Sequence, residues 1–134
     1  MRLFTGDEAN EALATVRPVV ERLVAARERF LARSAHLTEV RSKVAGNGGG
    51  LDPEQVQAAQ DDVDKVAGTI GSLLAELEGV GLQVKDLDRG LVDFPARHPE
   101  SGDAVLLCWQ LGEDQVAYWH GLEEGFAGRK PLPF

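Results

Sequence analysis

The chain has 134 residues, with hydrophobic residues at 43% and charged residues at 27%. That is the balance of one globular domain large enough to bury a core without metal or disulfide staples. Its formal net charge is −8, and the uneven spread of that charge argues against binding to phosphate backbones. Residues 1–45 carry 8 Lys+Arg against 6 Asp+Glu, whereas the remainder carries 6 against 16. A surface this acidic repels nucleic acid. The cations between Arg17 and Lys43 alternate with Glu21, Glu28 and Glu39, the pattern of a solvated helix face. No apolar run is long enough to span a membrane. Met1–Thr5 lacks a signal-peptide core, and the single cysteine, Cys108, forms no intrachain disulfide. A cytoplasmic location is the resulting expectation.

The first predicted element is a long helix. Thr5 caps it and Glu8 completes a capping box, with Phe4 placed to staple against Ala9. Leu13, Val16, Val20, Leu23, Phe30, Leu37 and Val44 follow at helical spacing. Pro18 removes one backbone donor and predicts a kink near Arg17, not a stop. Gly46-Asn47-Gly48-Gly49-Gly50 reads as a reversal, because no Lys-Ser/Thr follows to make a phosphate loop. Asp52 caps a second helix, with Pro53 at its first position and Gln55 completing the box. Val56, Ala59, Val63, Val66, Ile70, Leu73, Leu77 and Val80 form an unbroken heptad seam of coiled-coil type, and Gly79 and Gly81 end it.

After Gly81 the period changes from helical to alternating. Leu82–Val84, Leu91–Phe94, Ala104–Leu111 and Gln115–Gly121 are strand candidates, the last two joined by a tight hairpin at Gly112-Glu113-Asp114. The tail from Gly125 to Phe134 reads as irregular and extended. The predicted fold is α+β in a single domain, residues 1–134. A long antiparallel helical hairpin (1–80) precedes a small antiparallel β cap with its tail (81–134).

Chemistry concentrates in the cap. Asp93 lies between Val92 and Phe94, where an unpaired charge is costly. Strand alternation puts Val116, Tyr118 and His120 on one face, and Glu123 and Glu124 follow within reach of the imidazole. Asp93, Tyr118 and His120, with one of Glu123 or Glu124 and with Arg129 nearby, form the candidate binding site. Asp93, His120, Glu123 and Glu124 are its candidate metal ligands. Imidazole with carboxylates suits Zn²⁺, Fe²⁺ or Mn²⁺. The competing explanation is structural: Arg129 folds back to neutralise Asp93 or Glu124 and locks the tail. Cys108, next to Trp109 in an apolar run, reads as a buried structural cysteine. His36 and His98 are expected to face solvent.

Val84-Lys85-Asp86-Leu87, Gly90-Leu91-Val92-Asp93-Phe94-Pro95, Leu107-Cys108-Trp109 and Tyr118-Trp119-His120 resemble the signature of an uncharacterised bacterial family. Leu111-Gly112-Glu113 and Gly125-Phe126-Ala127-Gly128-Arg129-Lys130-Pro131 do as well, as do the Phe4-Thr5 start with Glu8-Ala9-Asn10 and the glycine loop. That family is catalogued as domain of unknown function 2203. Ala14 stands where the pattern expects proline, which implies a straighter helix start. The resemblance brings no activity with it.

No catalytic motif is complete, which leaves enzymatic activity open. Two function classes follow. One is a non-catalytic interaction module that homodimerises through the hairpin, with the acidic cap meeting a basic protein partner. The dimer is expected because the first helix outruns the second, leaving Phe30, Leu31, Leu37 and Val40 short of partners. The other is a small divalent-metal protein or metal-dependent enzyme with its site in the cap.

Overall fold

A computed structural model describes residues 2–46 and 52–134. The glycine reversal beyond Gly46 lies outside the described residues. Helix α1 spans Gly6–Gly46 and runs through Pro18; α2 spans Pro53–Val80. Their 41 and 28 residues make up about half of the chain. Both α1 N-terminal predictions hold in detail: Glu8 N–H donates to Thr5 Oγ1 and Thr5 N–H donates to Glu8 Oε1. Asp52 caps α2 through Glu54 N–H, with Pro53 in the first turn. Gly79 remains within α2, and Gly81 closes it in the left-handed conformation (φ 108°), donating to the Leu77 and Glu78 carbonyls.

Five strands follow in simple order: β1 (Gln83–Asp86), β2 (Leu91–Arg97), β3 (Ala104–Gln110), β4 (Tyr118–Gly121) and β5 (Lys130–Pro131). Every neighbouring pair is antiparallel. The fold class is therefore α+β, a helical hairpin followed by an antiparallel sheet.

Strand alternation gives the sheet two unlike faces. Val92, Phe94, Ala96, Val105, Leu107 and Trp109 share one core with Phe4, Ala9, Leu13, Val16, Val20 and Leu23 of the N-terminal segment and Leu73 and Leu77 of α2. The extra length of α1 thus lies over the chain's own sheet. Polar ties fix that docking. Asn10 Nδ2 donates to the Val116 carbonyl and Asn10 Oδ1 accepts from Val116 N–H, while Arg17 donates to the Glu113 and Asp114 carbonyls.

These ties explain a departure from the sequence reading. Residues between Gln110 and Tyr118 form a loop held by α1 and not a tight hairpin, so Val116 joins the helix-side core. It does not share the face of Tyr118 and His120. The tail departs too: Phe126–Gly128 form a 3₁₀ turn and Lys130–Pro131 pair beside β4.

Candidate functional site

The second sheet face carries no helix, yet its centre is buried. Asp93 on β2 sits opposite Cys108 on β3, and His120 on β4 sits opposite Leu106, two residue pairs along. Alternation brings all three side chains to this outer face, where Asp93 is 1% exposed, His120 2% and Cys108 0%. One ligand atom from each lies within 4.8 Å of the others.

His120 Nε2 stands 3.2 Å from Asp93 Oδ1, and Nδ1 stands 2.8 Å from the Gly121 carbonyl oxygen. A carbonyl oxygen only accepts, so Nδ1 carries a proton. On a neutral ring Nε2 then has its lone pair facing a carboxylate oxygen. That contact is repulsive unless a proton, held by either group, or a metal cation lies between the two atoms. A ring nitrogen anchored on a backbone carbonyl, with the other aimed at a carboxylate, is an arrangement that suits metal-ligating histidines.

Burial first, then the Asp93 charge and hydrogen bond and the Glu113 charge, against the Arg129 cation, together push the Cys108 thiol up to about 12. A thiol so held is no nucleophile at neutral pH, so a Cys–His–Asp acyl-transfer site is not supported. A metal ion would take the place of the thiol proton, so its binding would release that proton and weaken as pH falls.

The other predicted site residues are placed differently. Tyr118 shares the outer face but lies at the rim, 37% exposed, with the Arg129 guanidinium 4.0 Å from its ring centroid. Arg129 pairs with neither Asp93 nor Glu124. It makes a forked contact to both Glu113 carboxylate oxygens, at 2.7 and 2.8 Å, and approaches the Cys108 carbonyl. Glu113 is fixed in turn by Gln110 N–H on its carboxylate and by Trp109 Nε1 on its carbonyl. Arg129 therefore ties the tail to the loop after β3, and its charge is committed there. Phe126 lies between Arg129 and Arg89, 4.5 Å from each guanidinium, so the tail crosses the outer face.

Glu124 is also committed elsewhere. It receives Lys130 Nζ and Gly121 N–H, and these bonds hold its carboxyl below the usual range. Glu123 is exposed, and neither glutamate joins the three-residue cluster. The third member is Cys108, which sequence reading assigned to structure alone. The available signal was register: Asp93 and Cys108 occupy matching positions in consecutive antiparallel strands. His36 is exposed as expected, whereas His98 is half-buried and stacks edge-on against Trp119 and Phe134.

The chain is thus a helical-hairpin α+β protein with a buried carboxylate–thiol–imidazole cluster on the open face of its sheet. It belongs to the family of uncharacterized conserved proteins DUF2203, whose model matches residues 2–132. Neither the curated proteins nor the solved structures contain a match. No helix among the described residues is long and apolar enough to cross a membrane.

Proposed function

We propose that this protein binds one divalent transition-metal ion on the outer face of its sheet, through Asp93, Cys108 and His120. The observation that carries the reading is the orientation of His120: with Nδ1–H spent on the Gly121 carbonyl, Nε2 points its lone pair at Asp93. Ligand bonds of about 2.0–2.3 Å around a tetrahedral ion separate ligand atoms by roughly 3.3–3.8 Å. The side chains need only small shifts to meet that spacing from the separations they have, 3.2 Å for the His120–Asp93 pair and no more than 4.8 Å within the trio. Thiolate and imidazole together favour Zn²⁺ or Fe²⁺ over Mn²⁺ and disfavour Mg²⁺. Three protein ligands leave one position for water or a small ligand. With that position open the ion would act as a Lewis acid; with it filled by protein the ion would be structural.

The test is elemental analysis of protein purified without a histidine tag, before and after dialysis against Zn²⁺ or Fe²⁺. About one equivalent per chain is expected in the wild type, with loss in Cys108→Ser and His120→Ala. Wild-type protein that takes up neither metal would leave the cluster as a buried His120–Asp93 hydrogen bond with a packed thiol.

A second reading, an interaction module that self-associates through its hairpin, is favoured by a separate observation. Leu31 on α1 is 51% exposed, and Phe30 and Val40 are only half covered. The overhang of α1 is covered by the sheet and lends this reading nothing. Its support is the two-helix layer beyond the sheet, which covers each helix from one side. The readings are compatible, since they use opposite ends of the molecule.

A further inference from the structure

Glu124 is bonded more closely than a tail tie requires. Its two oxygens accept from Lys130 Nζ at 2.8 and 2.7 Å, and Oε1 also accepts from Gly121 N–H at 2.9 Å. Glu124 N–H donates in turn to the Gly121 carbonyl, at 3.2 Å. Residues 121–124 are thereby closed into a turn that grips Gly121 at both its N–H and its carbonyl. Two glycines wall the carboxylate. A Cβ at Gly121 would stand 2.7 Å from Glu124 Oε1, and one at Gly128 would stand 2.6 Å from Glu124 Cβ and 2.9 Å from Oε2. Neither glycine has a positive φ, so the backbone alone would admit a side chain at both positions. The packed glutamate is what excludes one. Yet the Lys130 and Glu124 side chains are 46% and 42% exposed, and an ion pair so wet contributes little to stability.

We propose that Glu124 is a positioning residue for His120: through Gly121 it fixes the carbonyl that holds Nδ1–H, and so keeps Nε2 as the ligand atom. This rests on the metal-site reading and deepens it by naming what orients the imidazole. The Gly121 carbonyl accepts from two donors, His120 Nδ1–H at 2.8 Å and Glu124 N–H at 3.2 Å. Its competitor lies on the other side of the ring. Asp93 Oδ1 stands 3.2 Å from Nε2, and a carboxylate is a stronger acceptor than a neutral carbonyl. Left to that contest, a neutral ring would place its proton on Nε2, facing Asp93, and close that atom to a metal. The carbonyl keeps the proton on Nδ1 only while it stays in place, and Gly121 has no side chain of its own to restrain it. The restraint comes from Glu124, which is itself moored through Lys130 to β5. Lys130 in turn lies over the Trp119 ring, 4.7 Å from its centroid. Outer partners of this kind set the tautomer and orientation of metal-ligating imidazoles.

Two measurements on the tag-free full chain test this, in the wild type, Glu124→Ala and Gly128→Ala. Gly128→Ala crowds the glutamate out of its niche and leaves Gly121 unaltered. Competition titration should give both variants a Zn²⁺ Kd about 10–100-fold weaker than that of the wild type. In the metal-free protein at mildly alkaline pH, long-range proton–nitrogen correlation spectroscopy should find His120 Nδ1 protonated in the wild type. In both variants Nδ1 should lose its proton and Nε2 carry it. Melting temperature is recorded alongside, and should Glu124→Ala fail to fold, Gly128→Ala is read alone. Variants that melt lower yet keep the Nδ1 proton would show Glu124 to be a tail tie only, and overturn the proposal whatever their Kd. A wild type that takes up no zinc overturns the metal-site reading separately. The position of the His120 proton then decides alone whether Glu124 orients the ring.

Discussion

The two faces of the sheet are built from the same three strands and carry opposite chemistry. The inner face presents Val92, Phe94, Leu107 and Trp109 to the helices, fully buried and wholly apolar but for the indole N–H, which Glu113 accepts. The outer face, one residue out of phase, presents Asp93, Cys108 and His120, equally buried but with no helix above them. Burial on the inner face stabilises by removing apolar surface from water. Burial on the outer face opposes folding unless the polar groups satisfy one another or a ligand. A fold that keeps such a cluster dry under a tail of about a dozen residues, itself tied down by Arg129–Glu113 and Lys130–Glu124, pairs a costly feature with dedicated supports.

The sharpest way to break this comparison is to truncate each face in turn. Phe94→Ala should cost about 3–5 kcal/mol of unfolding free energy. Denaturant titration should give the same loss with and without added Zn²⁺, because the inner face has no ligand. His120→Ala leaves Asp93 buried and unpaired, at a cost of similar size, about 3–5 kcal/mol. Here the zinc-dependent part of the wild-type stability should vanish as well. Equal response of both variants to zinc would erase the distinction between the faces.

A smaller effect is expected where the sheet meets α1. Gly90 turns β1 into β2 at φ +63°, and an added Cβ would stand 2.8 Å from Leu111 Cβ and 3.0 Å from Val20. Gly90→Ala should therefore destabilise by about 1–3 kcal/mol through overpacking, read as a lower denaturant midpoint. The cost should again be independent of metal, since the contact lies on the helix side. A neutral result would mean that α1 and the β1–β2 turn are more loosely docked than these distances imply.

The smallest effect concerns the outer cover. The Glu124 carboxyl is held low by Lys130 and by Gly121 N–H. A depressed carboxyl adds stability above its unfolded value near 4.5, and that contribution is lost as pH falls through the lower folded value. Glu124→Gln should lower the neutral plateau of melting temperature slightly and flatten the acid limb, with variant and wild type converging at low pH. An unaltered acid limb would remove Glu124 from the account of how the tail is held.

The helices were legible because each signal was local. The Thr5–Glu8 box, the Asp52-Pro53 start and the heptad from Val56 to Val80 need only near neighbours. The site was partly legible. Asp93 stood out as a charge in an apolar strand, and His120 as an imidazole at a strand end. Cys108 did not stand out, because its place beside Asp93 depends on the β2–β3 register, a property of pairing between distant residues. Glu124 stood close to His120 in sequence, yet Lys130 and Gly121 claim its carboxylate. The expected partner of Arg129 failed for a similar reason. Glu113 reaches it only because Asn10 and Arg17 reshape the loop after β3, and a 106-residue separation between Asn10 and Val116 leaves no local trace.

The most direct test of the central claim is a cobalt titration of the tag-free wild type alongside Cys108→Ser. Co²⁺ takes the same ligands as Zn²⁺ and reports thiolate coordination through a sulfur-to-metal charge-transfer band. Saturation at one Co²⁺ per chain is predicted, with that band present in the wild type and absent in Cys108→Ser, and with displacement by Zn²⁺. A wild-type spectrum identical to aqueous Co²⁺ at every ratio would contradict the claim that Asp93, Cys108 and His120 form a metal site.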